Sequence, residues 1–177
     1  MPSRRSVYLD ACCFIEAVKH DIGIQVSTDR QGDIWHYKQL MQANRDGEIN
    51  VHTSVLTIAE CSHADGDVSD SVKSIFRRLL LSGQYVTLVQ PTPMIGEAAR
   101  DLRWVHAMNL KGGDALHLAS ALDRSCEEFI TLDSRITRIK NREKFLALGL
   151  RLIAGRATQC LPEKYRQLLL GGGNGKG

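Results

Sequence analysis

Short apolar runs alternate with segments of helical periodicity along the chain. Val7-Tyr8-Leu9, Ile49-Asn50-Val51-His52, Tyr85-Val86-Thr87-Leu88-Val89, Phe129-Ile130-Thr131-Leu132 and, more weakly, Leu150-Arg151-Leu152-Ile153 have the length and the β-branched or aromatic character of strands. Helix-length segments lie between them at 12–20, 34–46, 55–62, 70–81, 94–108, 114–124 and 138–147. This alternation predicts βαβ units and a parallel sheet, with right-handed crossovers placing helices on both faces. The clearest helix is 114–124, where Ala115, Leu118, Ala119 and Leu122 form one apolar stripe at i, i+3, i+4, i+7. Gly112-Gly113 before it reads as the end of the preceding helix, and Asp114 as a carboxylate favoured at a helix start. The polar segments 21–33 and 63–69 read as loops, and 171–177 as a glycine-rich flexible tail.

Length and composition narrow the class. A chain of 177 residues corresponds to about one domain. With 43% hydrophobic and 24% charged residues it has the balance of a soluble globule. No apolar run approaches the roughly 18–20 residues that span a bilayer, so no membrane role is expected. The start of the chain leads into an apolar stretch too short for a signal-peptide core. The five cysteines (12, 13, 61, 126 and 160) contain no C-x-x-C pair. Reduced, mostly buried thiols and a cytoplasmic location are the expectation.

The net charge of +3 conceals an asymmetry. From Ser134 onward there are ten basic residues against two acidic, a balance of +8, whereas residues 1–133 carry thirteen against eighteen, a balance of −5. A basic end beside an acidic body suits a protein that holds a polyanion near a group of carboxylates.

Several common sites are excluded. The tail sequence Gly175-Lys176 lacks the P-loop glycine five residues upstream, where Leu170 stands. No G-x-S-x-G elbow occurs. The acidic run at 65–70 has its glycine misplaced for an EF-hand and Phe76 at the twelfth position. Cys61-Ser62-His63 has no second ligand pair at zinc spacing. His117, three residues after Asp114 on one helix face, borders the same region and is read as a packing or supporting residue.

Acids at element ends remain. Asp10 closes the first strand, Asp133 follows the fourth, Glu60 comes just after the second, and Asp114 opens the stripe helix. In an open parallel sheet, ligands bind beyond the carboxyl ends of the strands. Asp10 and Asp133 would lie at that edge, with Glu60 and Asp114 on the first turns of helices leaving it. Two carboxylates about 4 Å apart repel by roughly 4 kcal/mol at an effective dielectric of about 20. Such a group therefore needs protons or a divalent cation, and all-oxygen ligation suits Mg2+ or Mn2+ over zinc. Such ions activate water and stabilise the leaving oxygen in phosphodiester hydrolysis.

The stretches VYLDACCFIEAV, INVHTSVLTIAEC, GGDALHLASAL and FITLDSRI together resemble the PIN domain family of metal-dependent ribonucleases, in particular the VapC-like toxins of type II toxin–antitoxin pairs. The likeness covers about residues 6–155, in the family's order and spacing. It implies a PIN-like nuclease domain over 1–155 and a C-terminal extension over 156–177. The implied fold is a three-layer α/β/α domain around a central, mostly parallel sheet of about five strands. It also implies an Mg2+ (or Mn2+) site, both catalytic and metal-binding, built from Asp10, Glu60, Asp114 and Asp133, with Thr131 as an accessory hydroxyl. The expected substrate is RNA, and the expected partners are a second copy in a homodimer and a cognate antitoxin that pushes a basic side chain into the acidic pocket. One departure stands out: Cys12 occupies a position where the family usually carries Ser, Thr or Asn. The competing readings are an inactive PIN-like module that binds RNA or protein, another Mg2+-dependent phosphodiesterase acting on DNA, and, least favoured, a thiol enzyme built on Cys12 or Cys61.

Overall fold

The fold is taken from a computed structural model that describes residues 4–61, 68–156 and 159–166. The 171–177 tail, most of the 63–69 loop, and Ser62 and His63 lie outside the described residues.

Five strands form one sheet: β1 (Ser6–Leu9), β2 (Asn50–Ser54), β3 (Thr87–Val89), β4 (Glu128–Thr131) and β5 (Arg151–Ala154). Their order is β3-β2-β1-β4-β5 and every pair is parallel. Strand order reverses between β1 and β4, so the crevice at a doubly wound sheet's switch point opens between their carboxyl ends. The registers Tyr8↔Phe129 and Leu9↔Ile130 carry on to place Asp10 beside Thr131 at that edge.

Alternation along the strands divides the core. Tyr8, Phe129 and Leu152 face one cluster, built with Ile95, Leu102, Leu118 and Phe145. These come from α5 (Pro93–Trp104), α6 (Gly112–Asp123) and α7 (Ile139–Ala147). Val7, Leu9 and Ile130 face the opposite cluster, with Phe14, Tyr37, Leu40 and Leu80. Those come from α1 (Ala11–Asp21), α2 (Thr28–Arg45) and α4 (Asp70–Leu81). The result is the three-layer α/β/α sandwich with a central parallel sheet. Strands buried on both faces are nearly continuous apolar runs, as parallel strands require. The short α3 (Leu56–Glu60) and α8 (Glu163–Arg166) complete the elements. Cys160, Leu161 and Tyr165 pack into the second cluster, and the buried Glu128 carboxylate accepts from the amides of Gln159 and Cys160.

Four boundaries differ from the sequence expectation. The segment 21–33 is not a loop throughout, because α2 begins at Thr28. Ser27 sits in extended backbone at the N-cap, Asp29 is in the first turn, and Arg30 pairs with Asp33 at 3.4 Å. Those polar devices favour a helix start but leave no apolar stripe to detect. Gly155 (φ +77) closes β5 against this turn, since a β-carbon there would stand 2.9 Å from Asp33 Oδ1. The helix expected over 94–108 stops at Trp104, so Gly112-Gly113 does not end it. The two glycines are instead the first residues of α6. Asp114 is therefore in the first turn, and Lys111 occupies the N-cap. Glu60 closes the five-residue α3 and does not lie in the first turn of a longer helix.

Candidate active site

Asp10 follows β1 directly, and its amide continues the sheet ladder by donating to Ile130 O at 3.0 Å. Its side chain caps α1, with Oδ1 accepting from Ala11 N at 2.9 Å. Oδ2 accepts from Thr131 Oγ1 at 2.6 Å and from Cys12 Sγ at 3.2 Å. The carboxylate is only 8% exposed, and three donors fix both of its oxygens. Thr131 Oγ1 in turn accepts from Asp133 N at 3.0 Å, and Cys12 Sγ from Leu132 N at 3.2 Å. Thr131 and Cys12 thus tie the turn after β4 to the acid after β1.

Glu60 arrives from the other side of β1. Its Oε2 lies 2.8 Å from His117 Nε2, and His117 Nδ1 lies 2.8 Å from the Tyr8 hydroxyl. An ionised carboxylate only accepts, so Nε2–H donates to Glu60 and, in that tautomer, Tyr8 O–H donates to Nδ1. Burial pushes the Tyr8 phenol far above its usual range, and the Asp10 charge adds to this, so the hydroxyl keeps its proton. His117 is 2% exposed. One donor atom each from Asp10, Glu60 and His117 lie within 4.8 Å of one another.

Asp114 and Asp133 do not join that triple, but they sense its field. Burial raises the Asp114 carboxyl above its usual range; the Lys111 backbone amide opposes this, and the charges of Asp133 and Asp10 reinforce it. Gly113, the residue before it, brings the α6 backbone close to Glu60, where a β-carbon would stand 3.6 Å from Oε1. Asp133 is turned to a cation of its own chain. Arg135 Nε stands 3.0 Å from Oδ1 and 3.1 Å from Oδ2, with Nη2 at 2.5 Å from Oδ2. That bidentate pair holds the Asp133 carboxyl below the usual range. Arg135 itself is 52% exposed on its side chain.

Of the four acids expected from the sequence, then, Asp10 and Glu60 come within 4.8 Å of each other. Asp114 is coupled to Asp10 and Asp133 through charge, and Asp133 is engaged by Arg135. Sequence reasoning read His117 as packing or supporting, and missed Tyr8 and the Arg135 clamp altogether. Carboxylate oxygens of Asp10 and Glu60 within 4.8 Å repel by about 3 kcal/mol at an effective dielectric of about 20. Hard oxygens under that repulsion, at an edge where Glu60 is partly open to solvent, fit a divalent cation such as Mg2+ or Mn2+. The five cysteines are unpaired. Burial pushes the Cys61 thiol up to about 12, with the Glu60 and Asp10 charges adding, which makes it a poor nucleophile.

A doubly wound parallel sheet with carboxylates gathered at its switch point defines a class of site. The family comparison agrees: the PIN domain matches residues 7–142, and the chain belongs to that family. Among solved structures, the chain is similar to one described as the crystal structure of FitAcB from Neisseria gonorrhoeae, with 16% identity and a TM-score of 0.50. That alignment covers 83% of this chain and 96% of the other, and it is a likeness of fold. A search of curated proteins gives no match. Among the described residues, no helix is long and apolar enough to cross a membrane.

Proposed function

We propose that the chain is a metal-dependent endoribonuclease of the PIN family, a VapC-like toxin that works as a homodimer in the cytoplasm and is restrained by a cognate antitoxin. The observation that carries the reading is the convergence of Asp10 and Glu60, from different elements, on one point at the β1/β4 switch. PIN domains are generally metal-dependent nucleases, which supports the activity. The excess of basic residues after Ser134 supports a polyanionic substrate.

Asp10, Glu60 and Asp114 would hold Mg2+ or Mn2+. The ion supplies neutralisation of the carboxylates and Lewis acidity for in-line displacement at phosphorus. The chain's own residues provide the preorganisation. Thr131, Cys12 and the Ala11 amide hold Asp10 in one orientation. His117 holds Glu60 through Oε2, while Oε1 lies against the α6 backbone at Gly113. Asp133 would join the site on releasing Arg135; clamped, it carries a guanidinium to the rim, where a substrate phosphate needs a cation. An antitoxin's Arg or Lys entering the pocket would relieve the same repulsion as the metal.

The test is cleavage of a labelled RNA in Mn2+ by the parent chain and by Asp10→Asn. Metal-dependent cleavage abolished by the variant is expected. Undiminished cleavage by the variant removes Asp10 from the chemistry, and no cleavage of any RNA by the parent favours the inactive binding module.

A further inference from the structure

A cleft of about 710 Å3 lies between the 105–110 loop and the start of α7, lined by Asn109, Arg138, Ile139, Lys140 and Lys144 among others. Both of its walls are continuations of the site. Asn109 lies five residues before Asp114 and Arg138 five after Asp133, so each is at most about 18 Å along the chain from an acid. Arg135 and Lys111 add positive charge on the Asp133 side, since both act electrostatically on that carboxylate.

The loop wall is held rigidly. Ala107 adopts φ +49, a left-handed conformation that costs a non-glycine residue roughly 1–2 kcal/mol. Lys144 Nζ pins that turn to α7 by donating to the carbonyls of His106 at 2.6 Å and Ala107 at 2.9 Å. By contrast, Arg138 and Lys140 are exposed and form no ion pair among the described residues. They project at the amino end of a nine-residue helix, where the backbone dipole adds positive potential. Ile139 between them is 74% exposed and offers an apolar contact in an otherwise basic wall.

From this we infer that the cleft binds the nucleotides flanking the scissile bond of a single-stranded RNA, with Arg138 and Lys140 on successive phosphates. The inference rests on the nuclease reading above for its substrate class, and adds to it where the strand leaves the acidic pocket and which residues carry it. Cations next to the pocket also solve a problem its acids create, because a phosphodiester approaching a group of carboxylates needs compensating positive charge close by.

The experiment measures binding apart from cleavage. Anisotropy of a fluorescent single-stranded RNA is followed in chelator over a series of salt concentrations, for the full chain and for Arg138→Gln/Lys140→Gln. A control, Lys73→Gln/Arg77→Gln, removes an equal charge from α4 on the opposite face. Each phosphate contact to a single strand contributes about −0.7 to the slope of log K against log salt, so the cleft variant should flatten that slope by about 1.4. The control should leave the slope unchanged, and neither variant should shift the melting temperature. Equal slopes for parent and cleft variant overturn the cleft while leaving the nuclease reading intact. The same loss in the control overturns it as well, since charge alone would then suffice. Sedimentation showing that the cleft variant dissociates a dimer would reassign the face to an interface between copies. A parent chain that binds no RNA overturns both readings together, whereas binding without cleavage sinks the nuclease and the scissile bond with it, leaving the cleft as a single-strand binding site.

Discussion

His117 donates from Nε2 to Glu60 Oε2 at 2.8 Å, joining residues 57 positions apart in the chain. With the Tyr8 hydroxyl on Nδ1, the imidazole is fixed at both nitrogens inside an otherwise apolar core. Partners that orient a metal-binding carboxylate matter about as much as the ligand itself, and their loss typically lowers metal affinity or activity about 10–100-fold. His117→Ala is therefore expected to weaken Mn2+ binding by that factor in calorimetry. It should also cost about 1–3 kcal/mol of stability, because the Tyr8 hydroxyl is left buried without its partner. Tyr8→Phe should show a smaller drop in Mn2+ affinity and a comparable stability loss of about 1–3 kcal/mol, because it leaves His117 Nδ1 buried without its donor. Equal Mn2+ affinity in parent and His117→Ala would make His117 a packing residue only.

Thr131 stabilises two segments at once, donating to Asp10 Oδ2 and accepting from Asp133 N. Thr131→Val keeps the shape and removes the hydroxyl, leaving buried polar groups unpaired at a cost of about 1–3 kcal/mol. Thr131→Ser should restore most of this. Urea unfolding of the three proteins is the check, and a Val variant as stable as the parent would remove the hydroxyl from the account.

The two remaining acids have opposite signs of pH dependence. Asp114 has a raised carboxyl in the folded chain, so its ionisation opposes folding. Its cost is absent below the unfolded value near 3.9 and grows as pH rises through the raised folded value. In chelator, the melting-temperature gain of Asp114→Asn over the parent should therefore appear and grow as pH rises above about 4. Asp133 is depressed by Arg135, so its pairing contributes stability above the unfolded value and loses it as pH falls through the lower folded one. Asp133→Asn should show the reverse trend. A melting-temperature difference for Asp114→Asn that is independent of pH would contradict the shared field.

Arg135 separates metal from substrate. Arg135→Gln frees the Asp133 carboxylate and removes a cation from the rim. An interaction of about 1 kcal/mol, ordinary for a charge pair near a protein surface, predicts Mn2+ binding about five-fold tighter and RNA binding about five-fold weaker. Changes of the same sign in both titrations would contradict this placement of the guanidinium.

Much of this fold was legible in the sequence because parallel strands buried on both faces leave conspicuous apolar runs, and α4 lies where its periodicity put it. The start of α2 was hidden because its first turns are polar throughout. The lone Gly32 there also reads as a breaker, although Arg156 lies across it: a β-carbon would stand 2.0 Å from Nη1. Gly112-Gly113 misled in the same way, since glycine marks a close approach as readily as a helix end, and here Glu60 lies against Gly113. The four acids were visible through their positions at strand and helix ends. What could not be read was pairing: that Glu60 meets a histidine from the apolar stripe of α6, and that a strand tyrosine completes the chain, are contacts between residues 57 and 109 positions apart. The Arg135 clamp was local, two residues from Asp133 just past a strand end, and that spacing was the signal to follow.

The central claim, that residues from separate elements share one divalent ion, is tested most directly by anomalous diffraction from a crystal soaked in Mn2+. A single strong peak bounded by the carboxylates of Asp10, Glu60 and Asp114, and absent from Asp10→Asn, is the expected result. No peak in that pocket at saturating manganese, or one that survives the substitution unchanged, would contradict it.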